Sequence, residues 1–530
     1  MASDPERILL FRRGLGAEVP ATRFGNKAAN LARMAGLELP VPPGFALSVD
    51  VCREYYRRGR HLPDDLPGLL EEGIDFLEKT TGLEFGGRRN PLLVSVRSGS
   101  AVSMPGMMTT VLNVGLNRET VSGLILRRGN PRFAWDSYRR LLENFAEVVG
   151  LEAGLFSGAV RAEMASEGAL DQGELDFRAL RELSEKYERL LRQHTGLAFP
   201  SDARGQLSAA ARAVLESWMS PRARAFRLTN GLDDTGGTAV TVQAMVYGNL
   251  GPGSGAGVMF TRNPWTGEDR PVIDFKRGVQ GEDVVSQSRT SRTNDLASLF
   301  PEVHRELLDA GLRLERAFRD MQDVEFTIED RQLYLLQTRA GAREPLAALR
   351  IALDLVHAGW IDRPEAARRL ERIDLDSISI SEVAEAASPI AEGEAASIGV
   401  ASGTLAFSTA QALEMAPRSP VILVRNDLVA DDLPALQVAV GAIVPRGSRT
   451  SHAIVIARQM GKVVVVHCPG LEIDEDGRRF RASGHEYLEG DPVTVDGATG
   501  RIYAGTVHFV RRPPTELIED VRRLRTALPA

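Results

Sequence analysis

Residues 445–452 read PRGSRTSH and are followed by the apolar run 453–460, AIVIARQM. The pattern predicts a glycine- and hydroxyl-rich turn that leads into a helix starting at His452. Imidazole is a competent nucleophile near neutral pH, and helix-start N–H groups, together with Arg446 and Arg449, would hold an anion that it acquires. This combination favours a histidine that takes up and hands on a phosphoryl group. The alternative is a Thr-Ser helix cap followed by a structural histidine.

The composition is that of a globular protein with several domains. At 530 residues the chain is too long for one core, and we expect roughly three to four domains. The net charge of −7 gives no reason to expect nucleic acid or an anionic membrane as a partner. The first residues lack the build of a signal peptide, no apolar run is long enough to span a membrane, and two cysteines support no disulfide framework. We therefore expect a cytoplasmic protein.

A first candidate phosphate ligand stands near the N-terminus. Residues 24–34, FGNKAANLARM, predict a glycine turn followed by a helix. Lys27 stands at the start of this helix, where a phosphate would meet both the helix dipole and an ammonium group. A solvated lysine is the alternative interpretation.

A second candidate combines a fixed cation with a loop of small residues. The segment LLVSVR predicts a buried strand that ends in Arg97, a cation suited to bidentate phosphate binding. The loop SGSAVSMPGMMTT follows, and Gly99, Ser100 and Gly106 would let backbone N–H groups approach an oxyanion closely. The alternative is a flexible surface loop.

Acidic and basic side chains then alternate along two neighbouring strands. The segment DVEFTIE predicts a strand on which Asp323 and Glu325 share a face. Such hard oxygen ligands suit Mg²⁺ bound together with nucleotide phosphates. On the next strand, LYLLQTR, Gln337 and Arg339 share a face, and Arg339 would pair with phosphate. Glu325 and Gln337 are the candidate metal ligands, and an exposed hairpin with alternating charges is the alternative.

Several separate motifs resemble one family, in that family's order. The run TSHA at 450–453 and the residues after it resemble the phosphohistidine domain of pyruvate phosphate dikinases. Four further segments resemble the ATP-grasp domain of the same family: 25–34, 92–113, 240–285 and 322–343. The family normally has Gly-Gly-Met where residues 447–449 are GSR, and usually Asp where Thr109 stands.

The resemblance implies a multidomain fold of α/β and α+β type, in which an ATP-grasp domain precedes a swivelling β/α phosphohistidine domain. The expected divisions are an ATP-grasp domain over 1–343 with a helical insert at about 131–225, a helical connector and acidic linker over 344–395, a phosphohistidine domain over 396–508 and a tail over 509–530. The barrel that binds pyruvate and phosphoenolpyruvate in the family has no counterpart in this sequence. We therefore expect the phosphoryl acceptor to bind elsewhere.

The resemblance also implies the chemistry. ATP with Mg²⁺ would give a pyrophosphoryl group to His452 and release AMP, and inorganic phosphate would take the terminal phosphoryl group. Arg97 would act with His452 in catalysis, and Arg132 and Arg139 of the insert could face the nucleotide, with a solvated Arg139 as the alternative. Two alternatives remain open: the phosphotransfer subunit of a two-component dikinase for an alcohol, a phenol or pyruvate, with a separate acceptor-binding subunit, and a non-catalytic ATP sensor in which Arg449 and Thr109 mark lost chemistry.

Overall fold

The computed structural model describes residues 7–102, 104, 108–151, 154–169, 172–196, 198–281, 296–384, 387–447, 449, 452–474 and 477–526. The chain divides into two compact units. The first contains Met1–Ser254 and Thr327–Thr338, and the second contains Gly255–Phe326 and Arg339–Ala530. None of the described helices is long and apolar enough to cross a bilayer.

The first unit is built on an antiparallel sheet with helices on both faces. Its strands are β1 (Ile8–Phe11), β2 (Gly44–Leu47), β3 (Glu84–Phe85), β4 (Pro91–Leu92), β5 (Val94–Gly99), β6 (Thr110–Val114) and β7 (Ala239–Ala244). Its helices are α1 (Ala21–Gly36), α2 (Val49–Arg57), α3 (Leu66–Thr81), α4 (Arg118–Arg128), α5 (Pro131–Val148), α6 (Ser157–Glu167), α7 (Phe177–Thr195), α8 (Ala203–Ser217) and α9 (Pro221–Thr229).

The main sheet of this unit has the strand order β1-β2-β7-β5-β6. Alternate residues of a strand point to opposite faces, and β2 shows the result. Phe45 and Leu47 join the large core with residues of α3 and α8, whereas Ala46 packs against Phe24 and Ala28 of α1. Helix α1 therefore covers the face opposite the main core.

The second unit contains the remaining elements, apart from Thr327–Thr338, which belongs to the first unit. Its first strands are β8 (Gly255–Phe260), β9 (Val272–Arg277), β10 (Gln322–Glu329) and β11 (Gln332–Ala340), which form a sheet with the order β11-β10-β8-β9. The division between the units falls within β10 and β11. The helices beside this sheet and the connecting helices are α10 (Leu296–Leu299), α11 (Pro301–Phe318), α12 (Pro345–His357) and α13 (Arg363–Leu370).

The C-terminal part of the second unit adds further strands and four helices. The strands are β12 (Ile380–Val383), β13 (Ala391–Glu392), β14 (Glu394–Ala395), β15 (Val400–Ala406), β16 (Val421–Val424), β17 (Gly441–Val444), β18 (Val463–Val466), β19 (Leu471–Asp474), β20 (Arg479–Ala482), β21 (His485–Leu488), β22 (Pro492–Asp496), β23 (Arg501–Ala504) and β24 (Phe509–Arg512). The helices are α14 (Thr409–Met415), α15 (Leu433–Val438), α16 (His452–Gln459) and α17 (Thr515–Thr526).

An eight-stranded sheet positions the histidine helix. Its order is β13-β23-β22-β15-β16-β17-β18-β14, and β15 to β18 run parallel. The helices α14, α15 and α16 bury small apolar side chains on one face, where Ile454 and Ala457 of α16 meet Val444 of β17. Helix α16 follows the carboxyl end of β17, the end of a parallel strand at which α/β folds bind ligands.

Two expected boundaries need correction. The segment expected to be a linker contributes β13 and β14 to the eight-stranded sheet, so the sheet includes residues before 396. The region 509–530, expected to be a tail, contains β24, which pairs with β12, and α17, whose Ile518, Val521 and Leu524 are buried in one cluster with residues of α12. Amphipathic spacing in this last helix explains its packing.

Candidate functional site

Helix α1 is interrupted at Gly25, where its backbone lies in close contact with the end of β5. Gly25 has a φ of 74°, and a Cβ atom there would lie 2.3 Å from the carbonyl oxygen of Gly99, so glycine is required. The N–H of Asn26 donates to the carbonyl oxygen of Ser100 at 2.9 Å. Half-buried Lys27 follows directly. The predicted site residues Lys27, Gly99 and Ser100 are therefore brought together.

Arg97 lies on β5 directly opposite Thr241 of β7. Their neighbours Val96 and Val242 join the main core, so Arg97 and Thr241 lie on the face that α1 covers. Arg97 Nε and Thr241 Oγ1 are buried without a hydrogen-bond partner among the described residues. An unsatisfied buried polar group costs about 1–3 kcal/mol, and phosphate or ribose oxygens would satisfy both. Gly106, predicted for the same loop, lies outside the described residues.

Strand β11 is held beside α1 by Asn30. The Nδ2 of Asn30 donates to the carbonyl oxygen of Thr338 at 2.8 Å, and Asn30 lies one helical turn after Lys27. Buried residues alternate along β11 up to Leu335, but the next buried residue, Thr338, comes three positions later. Gln337 therefore lies within the part of β11 that contacts α1, in the same unit as Lys27.

The acidic pair lies in the second unit, on β10. Asp323 is 5% exposed, and its Oδ2 accepts a hydrogen bond from Arg339 Nε at 2.8 Å. Its Oδ1 has no partner among the described residues. Burial raises the pKa of Asp323, and the charge of Glu325 adds to this effect, while Arg339 opposes it. Asp323, Glu325 and Arg339 are thus brought together.

This arrangement fits a divalent cation that also binds substrate oxygens. No group of three or more His, Cys, Asp or Glu side chains suited to a metal occurs in the part of the chain that the structure describes. Mg²⁺ commonly uses one or two carboxylates and completes its shell with water and phosphate oxygens. The unpartnered Oδ1 of Asp323 and the half-buried Glu325 are consistent with that pattern.

The structure agrees with the predicted helix start at His452 but differs from the role predicted for Arg449. His452 is the first residue of α16, as predicted, although its side chain lies outside the described part. Arg446 is exposed. Arg449 forms ion pairs with Asp274 (Nη2–Oδ1 2.9 Å) and Glu394 (Nε–Oε2 3.0 Å). Its charge is therefore already compensated, which corrects the expectation that Arg449 would hold an anion acquired by His452.

The expectation that Arg132 and Arg139 of the helical insert face the nucleotide also needs correction. Arg139 is 3% exposed and pairs with Asp136 (Nη2–Oδ1 2.9 Å) and Glu143. Arg132 donates from Nε to the backbone carbonyl oxygen of Leu175 at 2.9 Å. Both therefore have structural contacts inside the first unit, because a buried guanidinium needs carboxylate or carbonyl acceptors.

Sequence reasoning missed three residues near these groups: Thr241, Asp274 and Trp265. A signal for two of them existed. Thr241 lies between two valines in the strand AVTVQA, and Asp274 lies between an isoleucine and a phenylalanine in the strand VIDFKR; both are buried. Buried polar groups in such positions usually have a specific partner.

Comparison with known families agrees with the geometry. The family model described as "Pyruvate phosphate dikinase, AMP/ATP-binding domain" matches residues 58–298. The model described as "PEP-utilising enzyme, mobile domain" matches residues 417–500, which include His452. The Arg97 strand and β9 lie in the first match. The expected fold class, a nucleotide-binding domain followed by a mobile domain, is thereby confirmed.

Curated relatives agree over most of this chain. It is 41% identical over 492 residues to a pyruvate, phosphate dikinase of Clostridium symbiosum, covering 91% of this chain and 56% of the relative. The corresponding enzyme of Rhizobium meliloti is 40% identical over 513 residues, covering 94% of this chain and 57% of the relative. The chloroplastic enzyme of Flaveria trinervia is 39% identical over 509 residues, covering 94% of this chain and 53% of the relative.

The chain therefore spans about half the length of the curated relatives that it matches. Those relatives are pyruvate, phosphate dikinases, which are kinase-type phosphotransferases. With its ATP-binding domain and its mobile domain, this chain belongs to the pyruvate phosphate dikinase family.

Proposed function

We propose that the chain is an ATP-dependent phosphotransferase that phosphorylates its own His452 and passes the phosphoryl group to an acceptor bound elsewhere. The observation that carries the proposal is the pair of unpartnered buried atoms on Arg97 and Thr241, on the face of the sheet where α1 presents Lys27. Polar atoms placed in this way favour a bound anion rather than an apolar core.

ATP would bind through cations and backbone groups of the first unit. Lys27 would contact phosphate oxygens, and Arg97 would stabilise charge on the group being transferred. Gly99 and Ser100, whose backbones already approach the start of α1, leave room for close backbone contact with an oxyanion. Gln337 precedes Thr338, whose backbone carbonyl oxygen accepts from Asn30 of α1, and we place Gln337 among the candidate nucleotide ligands of this unit.

Asp323 and Glu325 of the second unit would hold Mg²⁺, with Arg339 as a partner for phosphate. Bound Mg²⁺ supplies neutralisation of phosphate charge. Arg339 already holds Asp323 through its Nε, and this contact orients the carboxylate toward its remaining ligand.

The reaction can be written so that its bonds balance. A ring nitrogen of His452 attacks the β-phosphorus of ATP, the bond from that phosphorus to the bridging oxygen of the α-phosphate breaks, and AMP leaves. Inorganic phosphate then attacks the terminal phosphorus, which forms pyrophosphate and leaves phosphohistidine. Catalysis of such transfers consists mainly of positioning and charge stabilisation.

To pass the phosphoryl group to the acceptor, His452 has to reach a second binding site. The polypeptide enters and leaves the eight-stranded sheet through β12 and β24, which pair in antiparallel register from Ile380 opposite Arg512 to Val383 opposite Phe509. This two-stranded ribbon supports a movement of the mobile domain as one body. The acceptor would bind on a partner subunit or on another part of a longer chain.

The test uses Mg·ATP labelled at the β-phosphate, with AMP measured in parallel. We expect acid-labile label on the protein and about one AMP per chain in a single turnover. His452→Ala should remove the label, while its far-ultraviolet circular dichroism stays that of the wild type. Label that persists in this variant would contradict the proposal, and ATP binding without AMP formation would indicate the non-catalytic sensor instead.

A further inference from the structure

The loop that leads to His452 is attached to strand β9 through Arg449. Its guanidinium donates from Nε and Nη2 to Asp274 Oδ1 at 3.2 and 2.9 Å. It also lies 3.0 Å from Glu394 Oε2 on the short edge strand β14. One side chain of the loop is thereby fixed to two different strands, which the planar guanidinium allows and an ammonium group reproduces less well.

These contacts are sheltered from water. The side chain of Asp274 is 3% exposed and that of Arg449 is 21% exposed. The Arg449 guanidinium carbon lies 6.0 Å from the ring centre of Trp265, a buried residue that follows β8. Burial disfavours the charged form of Arg449, but Asp274 and Glu394 outweigh it and raise its pKa. Because both partners are sheltered, removal of Arg449 alone leaves buried carboxylates without their compensating charge.

Helix α16, which begins at His452, contacts the backbone of the same loop. Arg458 of α16 donates from Nη1 to the backbone carbonyl oxygen of Arg449 at 3.3 Å. Its guanidinium carbon lies 5.5 Å from the ring centre of Trp265. The side chain and the backbone of Arg449 are thus both engaged, three residues before His452.

We propose that Arg449 is a positioning residue for phosphoryl transfer: it fixes the histidine loop to β9 and β14 in the arrangement from which His452 accepts the phosphoryl group. The inference rests on the proposed function of His452. It has a second physical reason, since Asp274 and Glu394 without Arg449 would present two negative charges beside a loop that has to carry a phosphoryl group. Repulsion between like charges would then oppose the phosphorylated state.

The experiment compares Arg449→Met with the wild type, using methionine because the related family normally has it at this position. Arg501→Met is the matched control, because Arg501 forms an exposed ion pair with Glu392 in the same sheet, and such pairs contribute little. Arg449→Lys tests conservative rescue. Each variant is labelled from Mg·ATP under single-turnover conditions, and separately from phosphoramidate, a small phosphoryl donor that needs no nucleotide site.

We expect Arg449→Met to label from saturating Mg·ATP about ten- to a hundredfold more slowly, because misplacement of about 1 Å can cost that much. The concentration of ATP for half-maximal rate should stay within about twofold. Phosphoramidate should label His452 at nearly the wild-type rate, Arg449→Lys should recover part of the ATP-dependent rate, and Arg501→Met should behave as the wild type. Combining Asp274→Asn with Arg449→Met should add little to the single change, because both act through one contact.

Wild-type labelling by ATP in folded Arg449→Met would overturn the proposal, and so would equal losses with both donors, which would indicate local damage to the loop. Hydrogen exchange of a peptide spanning 445–452 gives a readout independent of activity. We expect about tenfold faster exchange in Arg449→Met and no change in Arg501→Met, and unchanged exchange in Arg449→Met would refute the attachment. If the wild type takes no label from ATP, the proposed function fails together with the kinetic role of Arg449, while exchange still decides the attachment.

Discussion

Arg97 and Thr241 are cross-strand partners in the first unit, and each has a buried polar atom without a hydrogen-bond partner among the described residues. Paired strands place such side chains on the same face about 5 Å apart. Two adjacent unsatisfied groups disfavour folding unless something binds them. This relationship connects the packing of the sheet to nucleotide binding.

Thr241→Val should separate stability from binding. Valine has nearly the same shape and removes a buried hydroxyl that has no partner, so we expect an unchanged or slightly higher free energy of unfolding. ATP binding should weaken by roughly tenfold through loss of one hydrogen bond, which is worth about 0.5–1.5 kcal/mol. Titration calorimetry with a non-hydrolysable ATP analogue and urea unfolding measure the two effects.

Thr238→Val is the stability control for that change. The hydroxyl oxygen of Thr238 accepts from the N–H of Gly99 at 3.1 Å, so its removal should cost about 1–3 kcal/mol. If Thr241→Val destabilises the protein as much as Thr238→Val does, the hydroxyl of Thr241 has a structural partner and the argument for a ligand there fails.

Asp323→Asn should alter the pH dependence of stability. Because the pKa of Asp323 is raised, the folded protein binds this proton more tightly than the unfolded chain. Its favourable contribution is complete below the ordinary aspartate pKa and is lost as pH rises through the raised value. Relative to the wild type, the variant should gain stability as pH rises above about 4, as measured by urea unfolding at each pH.

The same variant should lose activity. Removal of a carboxylate that helps to hold the charge-neutralising ion should slow labelling of His452 by about two to three orders of magnitude. Near-normal labelling in a folded Asp323→Asn protein would assign Asp323 to structure alone.

Asp136→Asn should destabilise the helical part of the first unit. Burial alone would raise the pKa of Asp136, but Arg139 and Arg140 outweigh it and hold the pKa well below its ordinary value. Breaking this pair leaves Arg139 buried with less compensation, at a cost of about 3–5 kcal/mol. A depressed pKa contributes stability above the ordinary value and loses it as pH falls, so the difference from wild type should shrink on acidification.

Glu185→Gln is the matched control for that prediction. Its pair with Arg181 is exposed, and the substitution should cost less than about 1 kcal/mol. Thermal unfolding of both variants at pH 7 and at a series of values from about pH 4 down to pH 2 makes the comparison, because the contribution of Asp136 is lost only below the ordinary aspartate pKa. Equal small effects would show that the buried network around Arg139 is replaceable.

Mild proteolysis should cut first within 384–390. Residues before this stretch are paired in β12, and those after it belong to β13, and within it Ala384 and Ser388 are exposed. Exposed connections of this kind are preferred sites of proteolytic cleavage. Mass spectrometry of early fragments locates the cut, and initial cleavage scattered through 396–508 would count against a compact mobile domain.

Local patterns predicted several elements correctly. The apolar run after His452 predicted α16, and segment 24–34 predicted the glycine turn and the helix that carries Lys27. Such features depend on residues close in sequence, where periodicity and turn chemistry suffice.

Partners distant in sequence could not be predicted in this way. Arg449 binds Asp274 across 175 residues, and the basic appearance of its loop therefore suggested a free cation. Arg139 looked like a solvated or ligand-facing arginine, because helical spacing does not reveal which buried carboxylate will lie next to it. The missing information in both cases is tertiary contact.

The most direct test of the central claim follows the fate of each phosphate of ATP in one turnover. Parallel reactions with β-labelled and γ-labelled Mg·ATP, with inorganic phosphate present, are quenched in base and separated into protein, AMP, ADP and pyrophosphate. The account predicts β-label on His452, γ-label in pyrophosphate and AMP equal to the labelled protein. Label from the γ-phosphate on the protein with ADP as the product would contradict it, because the chain would then be an ordinary γ-phosphoryl kinase.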